Sequence, residues 1–174
     1  MLKQKDKLEK HIADQIKEAQ LKLGFVRETM RLYYPLESIL GILDMSGIEA
    51  EPLCRQLENA FPDFSFGQHG GRIEICVPPA YVERVHKEME TPVFLAELVD
   101  QFQKNHHLTK KQLQQMFARH GDFICEQMLE GADFDFVFYF RDPSVDEYYY
   151  CVRMEMGHTI YHRFLKSDYE QLLL

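Results

Sequence analysis

The chain has 174 residues, 45% of them hydrophobic and 28% charged, enough to bury a core without disulfide or metal staples and too balanced for a disordered or fibrous protein. Its net charge of −8 disfavours polyanion binding over most of the surface. No apolar run reaches the ~18 residues of a membrane helix, and the basic N-terminus lacks the apolar stretch of a secretory signal, so a cytoplasmic location is expected.

The charge is uneven. Residues 1–34 carry +3, residues 35–91 −6, residues 92–120 +2 and residues 121–174 −7. Cys54, Cys76, Cys125 and Cys151 are far apart in the sequence and none forms a CxxC pair, so free thiols in apolar surroundings are expected.

Residues 5–34 predict one long helix or two abutting ones. Ile12, Ile16, Ala19, Leu23, Val26, Met30 and Tyr33 recur at alternating steps of four and three, a heptad-like stripe with Gly24 inside it. Pro35 breaks that run and opens a helix with Leu36, Ile39, Leu40 and Leu43 on one face. After the Met45-Ser46-Gly47 turn, Glu49 to Ala60 predicts another helix, with Leu53, Cys54, Leu57 and Phe61 inward. Phe64-Ser65-Phe66 and Arg72 to Val77 alternate around Gln68-His69-Gly70-Gly71, a hairpin signal. Pro78-Pro79 opens a helix carrying Tyr81, Val82, Val85 and Met89.

Thr91 is placed to cap the next helix, with Pro92 at its first position and Phe94, Leu95, Leu98, Val99 and Phe102 on its apolar face. Thr109 and Gln112 have capping-box spacing, ahead of Leu113, Met116 and Phe117. Phe123 to Leu129 reads as a continuing helix. Phe134, Phe136, Phe138 and Phe140 then recur every second residue, which puts all four on one face of a strand. Asp142-Pro143-Ser144 turns the chain, and Tyr148 to Met154 returns as the second arm. If Phe140 faces Tyr148, then Tyr150, Val152 and Met154 join the phenylalanine face, and Val137, Tyr139, Tyr149 and Cys151 make the other. Ile160, His162 and Phe164 predict a third strand, and Ser167-Asp168 a short closing helix.

The expected class is α+β, mostly helical, with two antiparallel β-hairpins packed on one side by helices. The chain is expected to form a single domain over 1–174. The recurring order of helices and hairpin suggests a subdivision into 1–90 and 91–174.

The stretch Glu18 to Phe25, followed by Glu28-Thr29-Met30-Arg31-Leu32-Tyr33-Tyr34-Pro35-Leu36-Glu37-Ser38, resembles an uncharacterised family, a domain of unknown function from gut-associated Firmicutes. The likeness covers most of the chain. It implies a bacterial cytoplasmic protein with no assigned activity, and it carries over no catalytic residue.

Four constellations bear on function. Leu36–Leu43, the turn, Glu49–Ala60 and the first hairpin run in helix–turn–helix–wing order, but Glu49, Glu51 and Glu58 against Arg55 suit phosphates poorly. The second half offers Lys110, Lys111 and Arg119 as better candidates for nucleic-acid contact, although its hairpin loop carries Asp142, Asp146 and Glu147. His158 and His162 have the HxxxH spacing of a helical metal site, yet their neighbours favour a strand, which separates them by roughly 13 Å. Asp133, Asp135, Asp142, Asp146 and Glu147 match no cation loop: Asp133 and Asp135 share the strand face opposite the phenylalanines, where solvent exposure explains them, and the other three suit a loop. Tyr148, Tyr149 and Tyr150, with Tyr139 and Tyr161, combine apolar area with hydroxyls, as binding surfaces do; a sheet covered on both sides explains them equally well.

No nucleotide, hydrolase, kinase or zinc motif occurs, and no cofactor and no metal is expected. A non-enzymatic interaction or regulatory module is the leading expectation, binding a protein partner or a second copy. A winged-helix nucleic-acid binder is the first alternative, and a small-molecule binder or hydrolase the second.

Overall fold

Glycine 24 ends the first helix and redirects the chain. The computed structural model describes residues 2–174. Helix α1 (Lys5–Leu23) closes at Gly24, whose left-handed φ of 72° and N–H bond to the Gln20 carbonyl make a C-cap. Beyond the cap the chain extends into strand β1 (Met30–Pro35), whose burial alternates residue by residue. The long helix expected over residues 5–34 is therefore half right. Leu8, Ile12 and Ile16 are fully buried, whereas Leu23, Phe25 and Val26 are exposed. The three-and-four spacing past Gly24 is coincidence. Leu32 and Tyr34 turn inward at period two, and a cap followed by β-prone residues overrode the stripe.

Helices α2 (Leu36–Leu43) and α3 (Ala50–Ala60) come next, then β2 (Ser65–His69), β3 (Arg72–Val77) and α4 (Pro79–Glu88). The three strands form an antiparallel sheet in the order β1-β3-β2. Gly70 and Gly71 join β2 to β3 with φ of 55° and 77°, and His69 pairs with Arg72 across them. Two positive φ values in a two-residue loop match the right-handed twist of the arms. Ile73, Ile75 and Val77 point to a core shared with Leu8, Ile12, Ile16, Ile39, Leu43, Leu53, Leu57 and Val85. Each such side chain contributes about 1.5–3 kcal/mol by burial.

The backbone forms two compact units, one ending at Thr91 and the next beginning at Pro92. The second contains α5 (Val93–Lys104), α6 (Lys110–His120), β4 (Phe123–Gln127), β5 (Phe136–Phe140), β6 (Tyr148–Glu155), β7 (His158–Leu165) and α7 (Lys166–Leu172). Pro92, not Thr91, occupies the N-cap of α5, with no side-chain cap bond. Thr109 and Gln112 do form the capping box of α6. The strands make a four-stranded antiparallel sheet, β4-β5-β6-β7. The class is thus α+β, with seven helices and seven strands among the described residues. Each expected hairpin sits inside a larger sheet, because β1 and β4 occupy stretches whose residues read as helix.

The pairs Phe136↔Val152 and Phe138↔Tyr150 put Tyr150 and Val152 on the phenylalanine face. Helix α6 covers this face: the Phe138 ring stacks on Phe117 at 5.0 Å. Helix α5 adds Phe94, edge-on to Phe140 at 4.8 Å and to Tyr150 at 5.3 Å. Phe134 does not join them. Before β5 begins, its ring crosses to the opposite face, 5.4 Å from His162 and 5.9 Å from Phe164. At the crossing Asp135 stays bound to β6: its N–H donates to the Val152 carbonyl at 2.8 Å, and its carboxylate accepts from the Met154 N–H at 2.6 Å. Four evenly spaced phenylalanines are therefore three on one face and one on the other.

Candidate functional site: the tyrosine face of the second unit

The face of the four-stranded sheet turned away from α5 and α6 is built from alternate residues of its strands. Val137 and Cys151 lie fully buried at its centre and α7 drops Tyr169 onto them, with Met128, Phe134, Tyr139, Tyr149 and Phe164 packed around. Lys166 opens α7 directly after β7 ends at Leu165, so the helix folds back over part of the face. The Tyr139 and Tyr149 rings lie parallel, 4.2 Å apart and 8° from coplanar, and Tyr149 meets Tyr169 at 4.9 Å. Both stacked rings are half-buried. Burial pushes the hydroxyls of Tyr139 and Tyr149 up from their ordinary range, and Glu126 adds to the effect on Tyr139. They are neutral donors at physiological pH. Tyr139 donates to Glu126 at 3.4 Å.

The rim of this platform is mixed in sign. Arg141 and Glu126 lie within electrostatic reach of Tyr139, and Lys166 and Glu170 within reach of Tyr149; Lys166 also pairs with Glu170 at 3.7 Å. Exposed Ile160 and His162 continue the surface along β7.

The other sequence candidates lie elsewhere. Tyr148 is buried on the helix-covered face, with the Arg163 guanidinium over its ring at 4.1 Å. Lys110 sits over the Phe136 ring at 4.3 Å. Lys111 is exposed, and Arg119 is bound to Glu97, which also holds His120. Asp142 and Asp146 accept main-chain N–H bonds from Ser144 and Tyr148, the local turn chemistry of short acidic side chains. His158 and His162 lie on one strand, as their neighbours indicated. His158 instead approaches His107 at 5.2 Å and His106 at 6.5 Å, and among the described residues no His, Cys, Asp or Glu group is disposed to hold a metal ion. No helix among the described residues is long and apolar enough to cross a membrane.

The first unit holds a cleft that no sequence pattern announces. It has a volume of about 560 Å3, is walled by Phe61, Phe64 and Tyr81 and is lined by Lys5, Glu9, Asp63 and Arg84. These residues come from three separate stretches of the unit, 5–9, 61–64 and 81–84, and no single short spacing joins them all.

No curated protein and no solved structure matches the chain. A family model does match, over residues 5–173: the domain of unknown function described from an E. rectale gene, DUF3877. The match spans nearly all of the sequence, and the chain belongs to that family.

Proposed function

We propose that the chain is a non-enzymatic interaction module that self-associates through the tyrosine face of its second unit. The stacked Tyr139–Tyr149 pair, half-buried on an outward sheet face, carries this reading. Large rigid aromatics with a polar tip are what protein interfaces concentrate at their centres. The rim supports a second copy over another partner class. A symmetric interface must be complementary to itself, and Arg141 and Lys166 beside Glu126 and Glu170 offer both signs. A nucleic acid would meet those carboxylates unfavourably. The test is mass against concentration by light scattering or sedimentation. The expected result is a monomer–dimer equilibrium that Tyr149→Ser shifts to monomer. A constant monomer mass for the unaltered chain up to high concentration sinks the reading.

A second reading concerns the first unit. The order α1-β1-α2-α3-β2-β3 with the sheet order β1-β3-β2 supports a winged-helix-like arrangement in which α3 is the presented helix. Its exposed polar positions are Glu51, Arg55, Gln56, Glu58 and Asn59, and Arg55 is paired with Glu51. That surface suits a protein contact better than a phosphate backbone. Fluorescence anisotropy with random duplex DNA at low salt decides: salt-sensitive binding favours nucleic acid, and no binding removes it.

A further inference from the structure

The cleft of the first unit is separate from the tyrosine face and has its own chemistry. Its volume of about 560 Å3 falls within the range of small-molecule sites. Phe61 and Phe64 approach at 5.5 Å, and Phe64 meets Tyr81 edge-on at 4.9 Å, giving an aromatic wall. The Tyr81 hydroxyl donates to the Glu9 carbonyl at 3.3 Å, and burial pushes it up to about 12, so this wall stays neutral.

Four charged side chains line the space. Arg84 and Glu9 are engaged with each other at 3.0 Å, and the Arg84 guanidinium lies against the Tyr81 ring at 4.7 Å. That leaves one charge of each sign to read a ligand. The Lys5 ammonium rests over the Phe61 ring at 4.9 Å, a contact that holds the cation at the aromatic wall. Asp63 lies exposed between Pro62 and Phe64 on the same lining.

A cation and a carboxylate beside aromatic rings are complementary to a small zwitterion. We propose that this cleft binds a free amino acid with an aromatic or large apolar side chain. Its carboxylate meets Lys5, its ammonium meets Asp63, and its side chain lies against Phe61, Phe64 and Tyr81. A dianion would face Asp63 and a dication Lys5, whereas an uncharged hydrocarbon would desolvate both groups without pairing either.

The test is an amide NMR titration of the full chain with phenylalanine, 3-phenylpropionate and phenethylamine. Phenylalanine should shift the amides of Phe61, Asp63, Phe64, Tyr81 and Arg84. Each singly charged analogue should bind about three- to fivefold more weakly, the loss of one solvent-accessible ionic contact. Lys5→Gln should weaken phenylalanine and 3-phenylpropionate but spare phenethylamine, and Asp63→Asn should do the reverse for the two analogues. Equal affinity for all three compounds, shifts confined to other residues, or no shift up to the solubility limit of phenylalanine overturns the proposal. The three-compound comparison on the unaltered chain decides the matter even if a variant folds poorly.

Discussion

The Tyr150 hydroxyl donates to the Asp146 carboxylate at 2.8 Å. Tyr150 is almost wholly buried in the aromatic core of the second unit, so its hydroxyl enters that core with an acceptor supplied by the preceding loop. The other oxygen of Asp146 receives the Tyr148 N–H at 2.8 Å. One carboxylate therefore fixes both the entry of β6 and the depth of a core ring. Asp146→Ala should lower stability by about 1–3 kcal/mol, the usual cost of removing an acceptor from a buried donor. Asp146→Asn should lose less, because it keeps an acceptor oxygen. Urea denaturation checks this: the midpoint should fall with the slope unchanged.

Glu97 predicts an acid-sensitive joint between α5 and α6. The Arg119 hydrogen bond, with help from His120, holds the Glu97 carboxyl below the usual carboxylate range. A depressed carboxyl contributes stability that is fully present above its unfolded value, about 4.3. That contribution fades as pH falls through the lower folded value. Glu97→Gln should therefore destabilise the protein at neutral pH, and the gap should close in acid. Thermal melts of both proteins at neutral pH and at about pH 3 measure it; a gap independent of pH refutes the assignment.

Gly24 has a φ of 72°, and nothing lies within 4 Å of where a β-carbon would stand. The cost of Gly24→Ala is therefore conformational and not steric, about 1–2 kcal/mol. Gly24→Asn should cost less, since asparagine tolerates the left-handed region. Comparing the two variants by chemical denaturation separates the backbone term from any packing effect.

Cys151 is fully buried, and burial pushes its thiol up to about 12. The thiolate is the reactive form. In the folded protein Cys151 should resist alkylating reagents until the second unit opens. Peptide mapping after brief labelling should find it unmodified under native conditions and modified in urea; native labelling at the rate of a free thiol contradicts its placement.

Where local chemistry and tertiary packing agree, the sequence was readable. Gly70-Gly71 named its turn, Thr109 and Gln112 named their capping box, and the supposition that Phe140 faces Tyr148 already carried the Phe138–Tyr150 and Phe136–Val152 pairs that form. It misled where two periods coexist. Met30 and Tyr33 extend a helical stripe and also begin an alternating strand, and only Gly24 decides between them. Phe123 to Gln127 looked helical because it comes directly after a helix, yet Phe123 meets the Phe117 ring at 5.8 Å as part of β4. Phe134 fits period two on paper and changes face at Asp135. For the candidate surfaces, Tyr139 and Tyr149 were legible because strand neighbours and cross-strand partners obey a simple rule. The cleft was not, since Lys5, Phe61, Asp63 and Arg84 converge only after α1 packs on α4 and the end of α3.

The carboxylate of Asp135 has a consequence for how the protein behaves in a crowded solution. Sheets grow when an unsatisfied main-chain donor recruits a stranger's carbonyl. At the point where β5 gives out, the Met154 N–H would be such an invitation, and a side-chain anion already occupies it. The line of β5 along β6 is thereby closed at Asp135, so no foreign strand extends it there, while the outer strands of the sheet remain β4 and β7.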